Sequence, residues 1–261
     1  AVDGTAQSRQ PPECFSVVAG VPARCVIGTG PASLTLIGDS HAAAAFDGLA
    51  LALRAVPAAA LSYNAYASCP PILGAESTDP QSRCRAFNDA LLAPLAAPRK
   101  QPVVLVAFWQ AYLDRPKVRF ADGGTSRPAF EDGLTASTCK LARGGPTYLM
   151  LPWPQFAWRV PYRLQAALVQ DPGADDIGMP AAAALGLETD AQAMLRRVAT
   201  ACGARLLDPA PLLCRNGRCL ASHERRPLYY DRHHLSVYGS ERLAPLYAPL
   251  IAEIRQGVTG R

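Results

Sequence analysis

The chain of 261 residues holds four histidines, and two of them stand in Asp231-Arg232-His233-His234, just ahead of an apolar stretch that reads as the last helix. The spacing Asp231-x-x-His234 lets a single turn present both side chains toward one place. A carboxylate there accepts from Nδ1–H of the imidazole and leaves Nε2 free to take a proton. The group to give up that proton is a serine hydroxyl, a poor nucleophile at neutral pH unless a base assists it. Ser40, in Gly38-Asp39-Ser40-His41-Ala42, is the candidate. Taken alone, Gly-Asp-Ser reads equally well as a helix cap; Asp231 and His234 turn the reading toward chemistry. The chain order is Ser, Asp, His, but the second glycine of the G-x-S-x-G elbow is missing, so an α/β-hydrolase is the weaker fit.

Alternating elements must carry these residues. Residues 33–37 read as a buried strand, followed by a tight turn at Gly38-Asp39-Ser40 and an Ala- and Leu-rich helix to about Val56. Further strands are expected at 58–63, 103–108, 147–151 and 204–207, with helices opened by Asp79-Pro80 and over about 130–143, 190–202 and 236–255. The pattern predicts a three-layer α/β/α sandwich around a mostly parallel, five-stranded sheet with right-handed crossovers. Ligands in such sheets bind at the carboxyl ends of the strands, where Ser40, Trp109 and Pro152 fall. Residues 1–31, rich in Pro and Gly, read as an irregular extension, linker or lid, and 32–261 as the catalytic domain.

Eight cysteines form an even set without C-x-x-C clusters. Locality pairs Cys14 with Cys25, Cys69 with Cys84 and Cys214 with Cys219, leaving Cys139 with Cys202 as a long-range staple. Such bridges persist in oxidising compartments, which points to the periplasm or the cell exterior. Zinc on Cys214, Cys219, His223 and His233 is the rival use, but the spacing fits no common finger. A net charge of +5 with scattered basic residues does not point to nucleic acid. The richest apolar stretch, residues 42–67, is interrupted by Asp47 and Arg54 and does not qualify as a membrane span. The sequence opens at Ala1 with no Met and no basic-then-apolar leader, so any export signal or membrane part is expected to lie outside it.

At Gly38-Asp39-Ser40-His41-Ala42 and Tyr230-Asp231-Arg232-His233-His234-Leu235-Ser236 the sequence resembles the SGNH (GDSL-like) hydrolase superfamily. The resemblance is nearest to the periplasmic SGNH domains attached to membrane-bound acyltransferase-3 proteins that O-acetylate bacterial surface glycans. Supporting matches at residues 103–109 with Tyr112, at 149–154 and at Cys69-Pro70-Pro71 extend it over roughly residues 33–257. It implies an SGNH/flavodoxin-like fold and an esterase-type site, with Ser40 as nucleophile, His234 as base and Asp231 as its orienter. It also implies an acetyl donor delivered by a membrane domain of the same polypeptide, a surface polysaccharide or O-antigen as acceptor, a periplasmic domain tethered to the inner membrane, and no metal or cofactor. Two customary oxyanion donors are missing: residues 61–73 contain no Gly, and Phe108-Trp109-Gln110 stands where an Asn is usual. The Ser40 N–H can serve, with Gln110, Asn64 or a backbone N–H near Ser68 as second donor.

Other residues have plainer readings beside these. His41 reads as a structural neighbour of the turn and His233 as a solvent-facing residue or substrate contact. Trp109 is either core or a sugar-stacking ring at the strand end. Transfer and hydrolysis differ only in what attacks the acyl-enzyme, so a free-standing glycan acetyl-esterase is the main alternative to an O-acetyltransferase. An inactive glycan-binding domain of the same fold is the second.

Overall fold

A computed structural model describes residues 7–15, 25–115, 117–121, 123–174 and 176–259. Its frame is a six-stranded sheet in the order β1-β3-β2-β4-β5-β6, where β1 is Val26–Ile27, β2 Ala32–Gly38, β3 Ala60–Ala65, β4 Val103–Val106, β5 Thr147–Met150 and β6 Arg205–Leu207. Only β1 is antiparallel, on β3; the other pairings are parallel. The five expected strands are present, and the sixth lies in the segment expected to be irregular. Two residues are too few to show an alternation, and the neighbouring Gly28 and Gly30 read as punctuation. Residues 1–6 and 16–24 of the expected extension lie outside the described residues.

The helices in chain order are α1 Ser40–Leu53, α2 Cys84–Leu92, α3 Trp109–Asp114, α4 Arg127–Gly144, α5 Val160–Gln170, α6 Ala181–Gly186, α7 Thr189–Cys202, α8 Ala210–Leu213, α9 Val237–Glu241 and α10 Ala248–Thr259. Successive strand residues point to opposite faces, and the sheet therefore feeds two cores. Leu34, Leu36, Val104, Val106, Tyr148 and Met150 pack with α1 and the C-terminal helices. Ile37, Val103, Leu105 and Leu149 pack with α2, α4 and α7. Strands buried on both faces read as unbroken apolar runs, which is why residues 103–108 read as a strand in the sequence, of which Val103–Val106 form β4. Apart from β1 the strand order is that of a doubly wound sheet, with its switch point between the carboxyl ends of β2 and β4.

Two glycines set the spacing around that point. A Cβ on Gly38 would lie 1.7 Å from the Val106 carbonyl oxygen, so only glycine lets β2 close on β4 there. A Cβ on Gly48 would lie 2.0 Å from the Ser240 carbonyl oxygen, and the Gly48 N–H donates to Ser240 Oγ at 2.9 Å. This contact docks α9 on α1 and brings the loop ahead of α9 toward the start of α1.

Two expected helices differ. The single helix over 236–255 is three pieces, α9, a 3-10 turn at Ala244–Tyr247, and α10, because Pro245 and Pro249 fit only the first turn of a helix. Leu243, Tyr247 and Leu250 still face the core. Asp79-Pro80 opens no helix; Asp79 Oδ1 accepts the Gln81 N–H in a turn, and α2 starts only at Cys84, where the bridge to Cys69 fixes the chain.

The three pairs that locality indicated, Cys14–Cys25, Cys69–Cys84 and Cys214–Cys219, are bonded, and so is the remaining pair, Cys139–Cys202. The sulfurs of the zinc reading are thus bonded to each other, across a register pair of an antiparallel hairpin. Among the described residues no helix is long and apolar enough to cross a membrane.

Candidate active site

Two loops meet at the switch point. In the first, Asp39 caps α1: its Oδ1 accepts the His41 N–H at 2.8 Å. Ser40 is then the first helical residue, where a backbone N–H has no intrahelical acceptor. In the second, Asp231 Oδ1 accepts the backbone N–H groups of His233 at 2.9 Å and His234 at 2.8 Å, the local turn an aspartate favours. A Tyr229–Leu235 bridge and a bond from the Tyr230 N–H to the His234 carbonyl close this loop into a tight hairpin. The loop after β5 holds it from behind, with Phe156 N–H on Arg232 O and Trp153 Nε1–H on His233 O at 2.6 Å.

The result is a chain of hydrogen bonds. His234 Nδ1 lies 2.7 Å from Asp231 Oδ2, and His234 Nε2 lies 2.8 Å from Ser40 Oγ. With Nδ1 carrying the proton toward the carboxylate, Nε2 accepts from the hydroxyl. Burial pushes the Asp231 carboxyl up, but the His234 ring and the backbone N–H groups of the turn outweigh it and hold the group well below the usual carboxylate range. The arrangement can deprotonate a serine during attack and return the proton afterwards. Tyr230 stacks on the His234 ring with centroids 5.2 Å apart and planes 1° from parallel, and burial keeps its phenol protonated.

Behind this chain lies an aromatic stack that holds His233, expected to face solvent or substrate, partly buried. His41 is buried between Phe108, 4.5 Å away, and Trp153, 4.7 Å away, with both rings nearly parallel to it. Its Nε2 meets His233 Nδ1 at 3.1 Å, and Phe108 stacks on His233 at 4.4 Å. Burial, then the neighbouring imidazoles, push the His41 ring well below its ordinary value, and burial lowers His233 to about 4. The signal available in sequence was adjacency, since both residues directly flank the reactive pair.

Two other expected site residues, Gln110 and Trp109, are placed elsewhere. Gln110 is buried with its amide turned away, Nε2 donating to Asp114 Oδ1 at 2.8 Å and Oε1 accepting the Ala191 N–H at 3.0 Å, so it holds α3 to α7 rather than facing Ser40. Trp109 is fully buried with its indole N–H on Met150 O at 2.9 Å, which leaves no face for a sugar. The cause is common to both: α3 begins at once after β4, and its first turn points into the core under α4 and α7. Asn64 is buried in β3, in register with Ile37. Ser68 takes a left-handed φ of 57° in the following turn.

Among the described residues, His41, His233 and His234 bring one ring nitrogen each within 4.8 Å of one another, the spacing a metal ion could use. Each already has a partner: His41 and His233 bond to each other, and His234 is shared between Asp231 and Ser40.

A doubly wound sheet with a serine in its first strand-to-helix turn and a histidine ahead of its last helices defines a mixed α/β protein of the SGNH hydrolase fold. Residues 9–249 match the SGNH domain family whose members are fused to AT3 domains, and the chain belongs to that family. The periplasmic domain of the lipopolysaccharide acetyltransferase of Salmonella ser. Paratyphi A is similar in structure, with a TM-score of 0.69 at 17% identity over 92% of each chain. An acetylxylan esterase of Geobacillus stearothermophilus aligns at TM-score 0.48 and 13% identity over 86% of this chain and 96% of its own. None of the curated proteins matches.

Proposed function

We propose that this chain is an O-acetyltransferase domain that carries an acetyl group on Ser40 as an ester and passes it to a hydroxyl of a bacterial surface polysaccharide or O-antigen. The observation that carries the reading is the unbroken path from Ser40 Oγ through His234 to Asp231, with contacts of 2.8 and 2.7 Å. In the first half-reaction Ser40 Oγ attacks the acetyl carbonyl carbon, its proton passes to His234 Nε2, and the donor's leaving group departs with that proton. In the second, an acceptor hydroxyl loses its proton to His234, attacks the ester, and the proton returns to Ser40. Asp231 stays ionised throughout and stabilises the imidazolium. The Ser40 N–H, at the start of α1, is one donor to the oxyanion.

Membership in a family fused to AT3 domains supports a membrane acyltransferase in the same polypeptide as acetyl source. The four disulfides support a periplasmic setting. The test is hydrolysis of a small aryl acetate by the purified domain, with an acetyl adduct on Ser40 followed by mass spectrometry and the product followed with acceptor glycan present. Loss of turnover and adduct in Ser40→Ala, with acetylated glycan formed by the parent, is the expected result. Free acetate alone in the presence of acceptor would make the domain an acetyl-esterase. Turnover that survives Ser40→Ala would remove the serine mechanism.

A further inference from the structure

A cavity of about 270 Å³ opens directly onto Ser40, and its far wall belongs to the N-terminal segment. Gln7, Gln10 and Phe15 face Ser40, Ala44 and Tyr230 across it. Three anchors hold this segment against the domain. Asp47, a buried carboxylate on α1, accepts the Ser8 hydroxyl at 3.0 Å, the Arg9 N–H at 3.2 Å and the Arg9 Nε–H at 3.0 Å. The Tyr63 hydroxyl bonds to Gln10 Oε1. The Cys14–Cys25 bridge ties the end of the segment to the residue before β1. A buried carboxylate is costly unless hydrogen-bonded, so Asp47 has its structural reason in receiving this strap.

The lining is chemically distinctive. Gln7, Gln10, Ser40 and Tyr230 stand among Phe15, Pro12 and two alanines, and among the described residues no charged side chain lines it. Arg9 turns outward, to Asp47 and Glu241. Hydrogen-bonding groups around an apolar floor with an aromatic edge suit a neutral ring bearing hydroxyls, and the volume, near the small end of ligand pockets, suits one ring rather than an oligomer. Because Ser40 and Tyr230, whose ring stacks on His234, both line the cavity, a hydroxyl of such a ring can reach the ester carbon.

We infer that the strap of residues 7–15 is one wall of a subsite for a neutral hexopyranosyl unit, and that Gln7, Gln10, Phe15 and Tyr230 select the acceptor. The inference rests on the proposed acetyl transfer for its biological sense, but its test does not. The intact domain carrying Ser40→Ala binds without turning over. Calorimetric titration and saturation-transfer NMR with methyl α-D-glucopyranoside, methyl α-D-galactopyranoside and methyl α-D-mannopyranoside read the affinity. At least one is expected to bind, and Gln7→Trp, which fills the cavity from its exposed wall, weakens that binding by about tenfold or more. Phe15→Ala lowers it as well. Unchanged melting temperature in Gln7→Trp reports that the strap is still docked. Affinity equal in all three proteins, or no binding of any neutral methyl hexopyranoside, overturns the subsite. Absence of aryl acetate turnover in the parent would instead sink the proposed function, leaving the binding result intact.

Discussion

The Asp39 carboxylate accepts the backbone N–H of Phe108 at 2.9 Å, tying the turn after β2 to the turn after β4 across 69 positions of sequence. The same carboxylate takes the Tyr112 hydroxyl at 2.7 Å and the His41 N–H at 2.8 Å. Burial pushes this carboxyl up, and the three donors push it back toward the ionised form. The tie therefore sets where Ser40 stands relative to the Phe108–His41 stack. Asp39→Ala would strand three buried donors and is expected to cost about 3 kcal/mol or more in urea unfolding, against about 1 kcal/mol for Tyr112→Phe, which removes a single bond. Equal costs would mean that the carboxylate is not what joins the turns.

His233 and His41 share a hydrogen bond, and burial lowers the first to about 4. Both are thus uncharged near neutral pH, with the His233 ring centroid 4.1 Å from that of His234. A neutral neighbour does not oppose the imidazolium that the proposed mechanism forms; a permanent cation would, by on the order of 1–3 kcal/mol at a protein-like dielectric. His233→Lys should show kcat/KM for aryl acetate at least about tenfold below His233→Gln, with the gap narrowing as salt is added. Equal rates in the two variants would show that charge at this position does not reach His234.

The path from sequence to site was clearest where a residue's role depends on near neighbours in the chain. Asp231 and His234 share one turn, and Ser40 opens a helix that its own cap defines, so both halves could be read locally. What brought them together was less visible: Gly48 against Ser240 is a contact between residues 192 positions apart with no local signature. Gln110 and Trp109 failed as site residues for the same reason in reverse. Their place after a strand is legible in the sequence, but the direction of α3 depends on packing against α4 and α7, which spacing does not encode. The strap was hidden because nine residues rich in polar types look like a linker until the buried acceptor on α1 is known.

Loop length separates the contributions of the bridges. Cys139–Cys202 spans 63 residues and joins α4 to α7, whereas Cys214–Cys219 spans 5 within a hairpin. The chain-entropy relation gives about 4 kcal/mol for the long loop and about 2 for the short one. The double variant Cys139→Ser with Cys202→Ser should therefore unfold at lower urea than Cys214→Ser with Cys219→Ser. A reversed order would place the stabilisation in the folded hairpin rather than in the unfolded chain.

Glu188, just ahead of α7, is buried, and its Oε2 has no hydrogen-bond partner among the described residues. Burial first, and the Asp114 charge second, push its carboxyl from 4.5 up to about 8. Below pH 4.5 the folded and unfolded chains both hold this proton. Between that value and about 8 the unfolded chain releases it while the folded chain keeps it, so stability falls as pH rises through this window. Above it both states are ionised and the penalty stays constant. Glu188→Gln is neutral at every pH and is expected to be more stable than the parent by on the order of 3 kcal/mol near pH 8. The advantage should shrink steadily on acidification and vanish near the ordinary carboxylate range. Melting curves at about pH 5 and about pH 8 decide it. A variant less stable than the parent at the higher pH would mean that the carboxylate is ionised and paired in the folded state.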